Sequence, residues 1–172
     1  MSFIDLVKAR YSVRKFSAKP IEDEKLDLIL DAGRIAPTAK NQHPEKIFVL
    51  RSEEALAKIN QCSPCMYGAP TVLLVCYDES VAWHNSRRPG YDSGEMDASI
   101  VTTHMMLQAA ELGIGSCWVG VFDDKEVSAA FGLPENIKPA ALMPMGYPAE
   151  DSSPREEMHC VPRAKDETIS YI

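Results

Sequence analysis

Residues 71 to 78, TVLLVCYD, are apolar at nearly every position. A strand with one wet face alternates apolar and polar side chains, so a continuous apolar run predicts a strand buried on both faces. Whatever the chain folds into must cover both sides of that strand. Two segments are suited to it. Residues 22 to 35 read as an amphipathic helix with acidic residues in the first turn, where the helix dipole favours them. Residues 95 to 112 form the longest helical pattern, apolar on most sides and therefore expected to be central. A strand over 46 to 50, a helix over 52 to 61 capped by Ser52, and a strand over 116 to 122 complete the middle of the chain. A short helix then starts from a cap at Asp123 or Asp124 and closes at Gly132. A strand and turn at 140 to 148 precede a polar tail that ends in ISYI. Helices and strands alternate unevenly, which predicts an α+β fold with a mixed sheet. The apolar end of the tail has no local partner and is expected to add to a neighbouring subunit's sheet.

A length of 172 residues fits one domain, 1–172, in which about 150–172 form a tail. The formal net charge of −7 argues against a broad nucleic-acid footprint. No apolar run approaches the ~20 residues that span a bilayer, and Asp5 interrupts any signal-like start, so a cytoplasmic protein is expected. Five cysteines, Cys62, Cys65, Cys76, Cys117 and Cys160, are expected to be reduced, with Cys76 and Cys117 as small buried hydrophobes.

Against this acidic background, ARYSVRKF at 9 to 16 gathers Arg10, Arg14 and Lys15 around Ser12. Phe3, Leu6 and Val7 place a helix over residues 2 to 10, and from Tyr11 the chain turns extended, which puts Ser12 and Arg14 on the same side. Two guanidinium forks and a hydroxyl suit a phosphate, though a solvated basic turn at a helix C-terminus has the same composition. PRAKDE at 162 to 167 alternates Arg163 and Lys165, and one phosphate held between the chain's two ends would explain both groups. PTAKNQHP at 37 to 44 is a rigid polar loop able to bond a heterocycle or merely to turn the chain. Residues 80 to 94 are irregular and read as a lid or an excursion beside a site. GIGSCWVG at 113 to 120 is no dinucleotide fingerprint, because it follows a helix and enters a strand. Cys62 and Cys65 form a single CxxC in the wrong context for a thioredoxin-like motif, and no metal site is expected.

Taken in order, ARYSVRKF, AGRIAPTAKNQHPEKIFVL, YGAPTVLLV, LQAAELGIGSCWVGVF, MPMGYP and PRAKDE resemble the nitroreductase family, whose members bind FMN at a homodimer interface. The resemblance implies a central mixed, mainly antiparallel sheet flanked by helices in a domain-exchanged homodimer, with the tail extending toward the partner subunit. It implies that Arg10, Tyr11, Ser12 and Arg14 hold the FMN phosphate and pyrimidine edge, and that Arg163 and Lys165 complete the phosphate site. Pro37, Thr38, Ala39 and Asn41 match the loop that reaches the flavin from the other subunit. Trp118, Val119 and Gly120 match the backbone running past the flavin N5 and O4. His43 and His104 stand where the family often has Gln, and the stretch from Cys62 to Cys65 offers no transferable flavin contact.

The activity so implied is a ping-pong transfer of hydride from NADH or NADPH through flavin N5 to a nitroaromatic, quinone or similar electron-poor acceptor, with no catalytic side chain assigned. The rivals are a specialised reaction on the same fold governed by residues 80 to 94, a non-catalytic flavin-binding or sensing protein, and a flavin-free CxxC thiol oxidoreductase.

Overall fold

The computed structural model describes every residue from Met1 to Ile172. Its helices are α1 (Phe3–Ala9), α2 (Asp23–Arg34), α3 (Glu53–Cys62), α4 (Gly94–Glu111), α5 (Asp124–Phe131) and α6 (Lys165–Thr168), and its strands are β1 (Glu45–Leu50), β2 (Thr71–Asp78), β3 (Gly115–Ser116) and β4 (Ile137–Gly146). The strands form one sheet in the order β1-β2-β4-β3, and every neighbouring pair is antiparallel. The parallel component is a single bridge, Ser12 to Ser116, so the sheet is mainly antiparallel with one parallel contact.

The apolar run that predicts a strand buried on both faces is β2, the inner partner of both β1 and β4. Its pleat divides the core. Leu73 and Val75 join Met143 and Met145 of β4 beneath α2 and α4, where Leu26, Ile29, Val101 and Met105 meet them. Val72, Leu74 and Cys76 face the other way, with Ile59 of α3 and Val127 of α5. Truncating a fully buried side chain such as Leu74 to Ala in a layer of this kind costs about 2–5 kcal/mol. The helix starts follow the expected chemistry, since Ser52 accepts from the Ala55 N–H and Asp123 from the N–H groups of Lys125 and Glu126.

The strand expected over 116 to 122 is much shorter. β3 ends at Ser116, and only the bridge from Val119 to Leu142 resumes the pairing. Opposite Cys117 stands Pro144, whose carbonyl accepts from the Cys117 N–H but whose ring has no N–H to return. That missing donor breaks the ladder and frees residues 117 to 120 to leave the sheet. The tail runs back along the N-terminal segment: Phe16 bridges Pro148, the Ala149 N–H donates to Lys15 O, and the Tyr11 hydroxyl donates to Ser152 Oγ at 3.2 Å. The final ISYI pairs with no strand in its own chain, and Tyr171 and Ile172 are exposed. No helix is long and apolar enough to cross a membrane.

Candidate cofactor site

α1 ends at Ala9, and its C-cap Arg10, with an extended backbone (φ −64°, ψ 134°), turns the chain into the stretch Tyr11–Phe16. The Val13 N–H donates to Ser116 O at 2.9 Å, and the Val13 side chain is buried beneath the strand. Alternation then sends Ser12 and Arg14 to the opposite side, as the sequence pattern predicts. The approach is close because residue 115 is glycine: a Cβ there would lie 2.6 Å from Val13 Cγ2 and 3.1 Å from Pro148 Cγ. Arg14 folds back so that Nη1 donates to Ser12 O at 3.2 Å, which holds its guanidinium over its own strand.

Arg10, Tyr11, Ser12 and Arg14 line one cavity of about 550 Å³. Lys8 lies on the same side, and the facing wall comes from the tail, with Arg155, Met158, His159 and Cys160 and ending at Pro162. Lys8, Arg10, Arg14 and Arg155 bring positive charge to it, and no carboxylate lines it. In a chain of net charge −7 this is a local reversal of sign. Forked guanidinium donors beside a hydroxyl match a phosphate in both charge and geometry, so the donor set fits the phosphate end of FMN. A second cavity of about 330 Å³ adjoins it across Arg14 and Arg155 and is lined by Tyr67 and Ser152. The ring of Tyr11 meets that of His159 edge to face, 6.3 Å between centroids, and so ties the tail wall to the N-terminal wall.

The expected C-terminal pair is placed differently. Arg163 and Lys165 do not line this cavity; Arg163 Nε pairs with Glu167 Oε2 at 3.4 Å, and Lys165 begins α6. The basic group that the tail does contribute is Arg155, which the sequence reading missed. A single Arg among acidic neighbours in SSPREEMHC carries no pattern of its own.

Pro37, Thr38, Ala39 and Asn41 lie apart from that cavity in the same chain. Their loop is held in an unusual shape, with Lys40, Asn41 and His43 at φ 56°, 57° and 48°. Thr38 Oγ1 accepts from the His43 N–H at 3.0 Å, and Asp97 Oδ1 accepts from the Ala39 N–H at 2.9 Å. His43 Nδ1 lies 3.3 Å from Glu45 Oε1. His104 sits on an exposed face of α4 with Nδ1 2.9 Å from Ile100 O. Trp118, Val119 and Gly120 follow the Pro144 interruption, and the Val119 N–H is committed to Leu142 O at 2.9 Å.

Cys62, the first thiol of the CxxC, has the wrong character for the nucleophile of a redox motif. Burial, reinforced by Glu126, pushes the Cys62 thiol up, and burial pushes Cys76 up to about 12. A nucleophilic CxxC needs its thiol lowered. Burial also raises Cys117, against the pull of nearby Arg14.

Comparison with known proteins gives a consistent result. A family model described as the nitroreductase family matches residues 7–65 and 60–147. A solved nitroreductase family protein from Clostridium difficile 630 superposes with a TM-score of 0.93 at 37% identity, covering 99% of this chain and 98% of that one. A relative from Methanothermobacter thermautotrophicus, provisionally named an NADH dehydrogenase/NAD(P)H nitroreductase, is 33% identical over 165 residues, 91% of this chain and 82% of its own. An FMN reductase [NAD(P)H] from Bacillus subtilis is 25% identical over 177 residues, 93% of this chain and 69% of its own.

Proposed function

Because the chain belongs to the nitroreductase family, we propose that it is an FMN-dependent NAD(P)H oxidoreductase acting as a homodimer on nitroaromatics, quinones or similar electron-poor acceptors. The observation that carries this reading is the cavity of about 550 Å³ lined by Lys8, Arg10, Arg14 and Arg155 and by no carboxylate, the nearby Asp151 lining the adjoining cavity and paired with Lys15. Residues 1–172 act as a single FMN-binding domain, and the tail from about 150 extends toward the partner.

Arg10, Arg14 and Arg155 hold the phosphate with the Ser12 hydroxyl, while Tyr11 fixes the tail wall through Ser152 and His159. Arg163 and Lys165 follow Pro162 on an exposed stretch and close the far side of the phosphate; an exposed ion pair such as Arg163–Glu167 restrains them only weakly. Pro37, Thr38, Ala39 and Asn41 serve the flavin of the other subunit, which accounts for their separation from the cavity in their own chain. FMN supplies hydride acceptance and return at N5. A backbone amide offered to the flavin here would stabilise its reduced form, and because the Val119 N–H is bonded to Leu142 O, the N–H of Trp118 or Gly120 would supply it. Exposed Phe3, Ile35 and Tyr171 are the apolar surface a homodimer covers.

The test is direct. The purified protein is yellow with oxidised flavin and bleaches on adding NADH or NADPH; protein that stays colourless after reconstitution with FMN overturns the reading. A protein that binds FMN and oxidises neither nucleotide is a flavin-binding protein without this activity.

A further inference from the structure

The excursion from Glu79 to Ser93 and the loop from Pro37 to Pro44 are joined at both ends. At one end the Asp78 N–H donates to Pro44 O at 2.8 Å. At the other a short relay runs through α4. The Trp83 N–H donates to Ser93 Oγ at 3.2 Å, the Ser93 hydroxyl donates to Asp97 Oδ2 at 2.7 Å, and Asp97 Oδ1 accepts from the Ala39 N–H at 2.9 Å. Ser93 and Asp97 are each 2% exposed, and Asp97 is the one charged group on the buried face of α4, which otherwise carries Gly94, Ala98, Val101, Thr102, Met105 and Ala109. The relay's foundation is rigid, since Gly94 lies so close to Tyr77 that a Cβ would enter the tyrosine ring.

We propose that Asp97 is a positioning residue that locks the 79–93 excursion to the 37–44 loop, so that whatever occupies the excursion's side of the site sets the posture of the loop lying against the flavin. This rests on reading residues 37 to 41 as the flavin loop. Both carboxylate oxygens are occupied, one by each segment, so neither segment can shift without unpairing a buried acceptor. The strained residues Lys40, Asn41 and His43 lie immediately beyond the Ala39 anchor and depend on it to stay in their left-handed conformations. A ligand resting on Trp83 or its neighbours therefore acts on the flavin through the Ser93–Asp97–Ala39 side-chain bonds, alongside the backbone bonds that tie Ser93 to Trp83 O and Asp97 to Ser93 O, and through no direct contact.

The test removes the middle link and reads the far end. Ser93→Ala removes both side-chain bonds of the relay without touching the loop and leaves the backbone bond from the residue 93 N–H to Trp83 O, and Thr102→Ala removes another buried hydroxyl of α4, one that donates to Ala98 O at 2.7 Å and joins nothing to the loop. Hydrogen exchange is measured on FMN-free protein, so it reports the coupling whether or not the protein proves to be a flavoenzyme. Ser93→Ala is expected to speed exchange at Ala39, Asn41, Gln42 and His43 about tenfold, and Thr102→Ala to leave those amides within about twofold of the parent. With FMN added, Ser93→Ala is expected to weaken its binding about three- to tenfold and Thr102→Ala not at all. Asp97→Asn, which keeps an acceptor for the Ala39 N–H, is expected to perturb the loop less than Asp97→Ala. Exchange changes confined to residues 79 to 94 in Ser93→Ala, or equal loop changes in both serine and threonine variants, overturn the proposal.

Discussion

Val13 and Ser116 are joined by a 2.9 Å hydrogen bond from the valine N–H to the serine carbonyl, and that contact sets the N-terminal basic segment beside the stretch that leaves the sheet after β3. The two segments are about a hundred residues apart in the chain, yet the cavity and the backbone of residues 118 to 120 share this seam.

Substituting Gly115 by Val places a side chain where Val13 Cγ2 and Pro148 Cγ already lie within 2.6 and 3.1 Å of the Cβ position. Overpacking of this kind costs about 1–3 kcal/mol. A thermal melt is expected to show Tm lowered by several degrees, with FMN affinity reduced in the fraction that still folds.

Arg14→Glu puts an anion into the cavity and removes the bond from Arg14 Nη1 to Ser12 O. The purified variant is expected to be colourless. Arg155→Ala is expected to weaken FMN binding by about tenfold to a hundredfold, the range of a charged hydrogen bond, and Arg163→Ala by less. Fluorescence titration with FMN checks the order; a larger effect at Arg163 would mean the tail rearranges on binding.

Acid stability carries a signature of Glu22. The Tyr147 hydroxyl donates to Glu22 Oε2 at 2.6 Å, and Lys19 lies 3.0 Å from Oε1. The tyrosine bond first, then the glutamate's own backbone N–H and Lys19, lower its carboxyl from an ordinary 4.5 to about 2. A depressed carboxyl stabilises the fold above its unfolded pKa and loses that contribution as pH falls through the folded value. Denaturant titrations between pH 4.5 and 2 are therefore expected to show a shallower loss of stability in Glu22→Gln than in the parent.

The thiols separate by environment. With Cys62 pushed up by burial and Cys76 pushed up to about 12, brief alkylation near neutral pH is expected to modify exposed Cys160 first, as read by peptide mass. Cys62→Ser is expected to leave nucleotide oxidation within about twofold of the parent. A large loss would revive a thiol mechanism.

The parts of this molecule that sequence exposes are those where composition and burial coincide. β2 is legible from end to end because every layer of the core touches it, and α4 because so few of its residues face water. The 116–122 strand is overread because its length is decided elsewhere, by Pro144 standing opposite Cys117. Arg10, Ser12 and Arg14 form a recognisable cluster within five residues, whereas Arg155 becomes a neighbour only when the tail returns along residues 11 to 17. Asp97 did leave a trace, an acidic residue within a helix predicted to be central, but its partners Ala39 and Ser93 lie on segments whose approach no local pattern records.

The central claim is that the basic cavity formed by the chain's N-terminal strand and its returning tail holds the phosphate of a flavin. Its most direct measurement is an anaerobic absorption spectrum of the purified protein before and after NADH or NADPH, and again after an electron-poor acceptor. Oxidised FMN that bleaches with the nucleotide and recovers with the acceptor is the result expected. A protein that retains no FMN after reconstitution, with Arg14 and Arg155 intact, contradicts it.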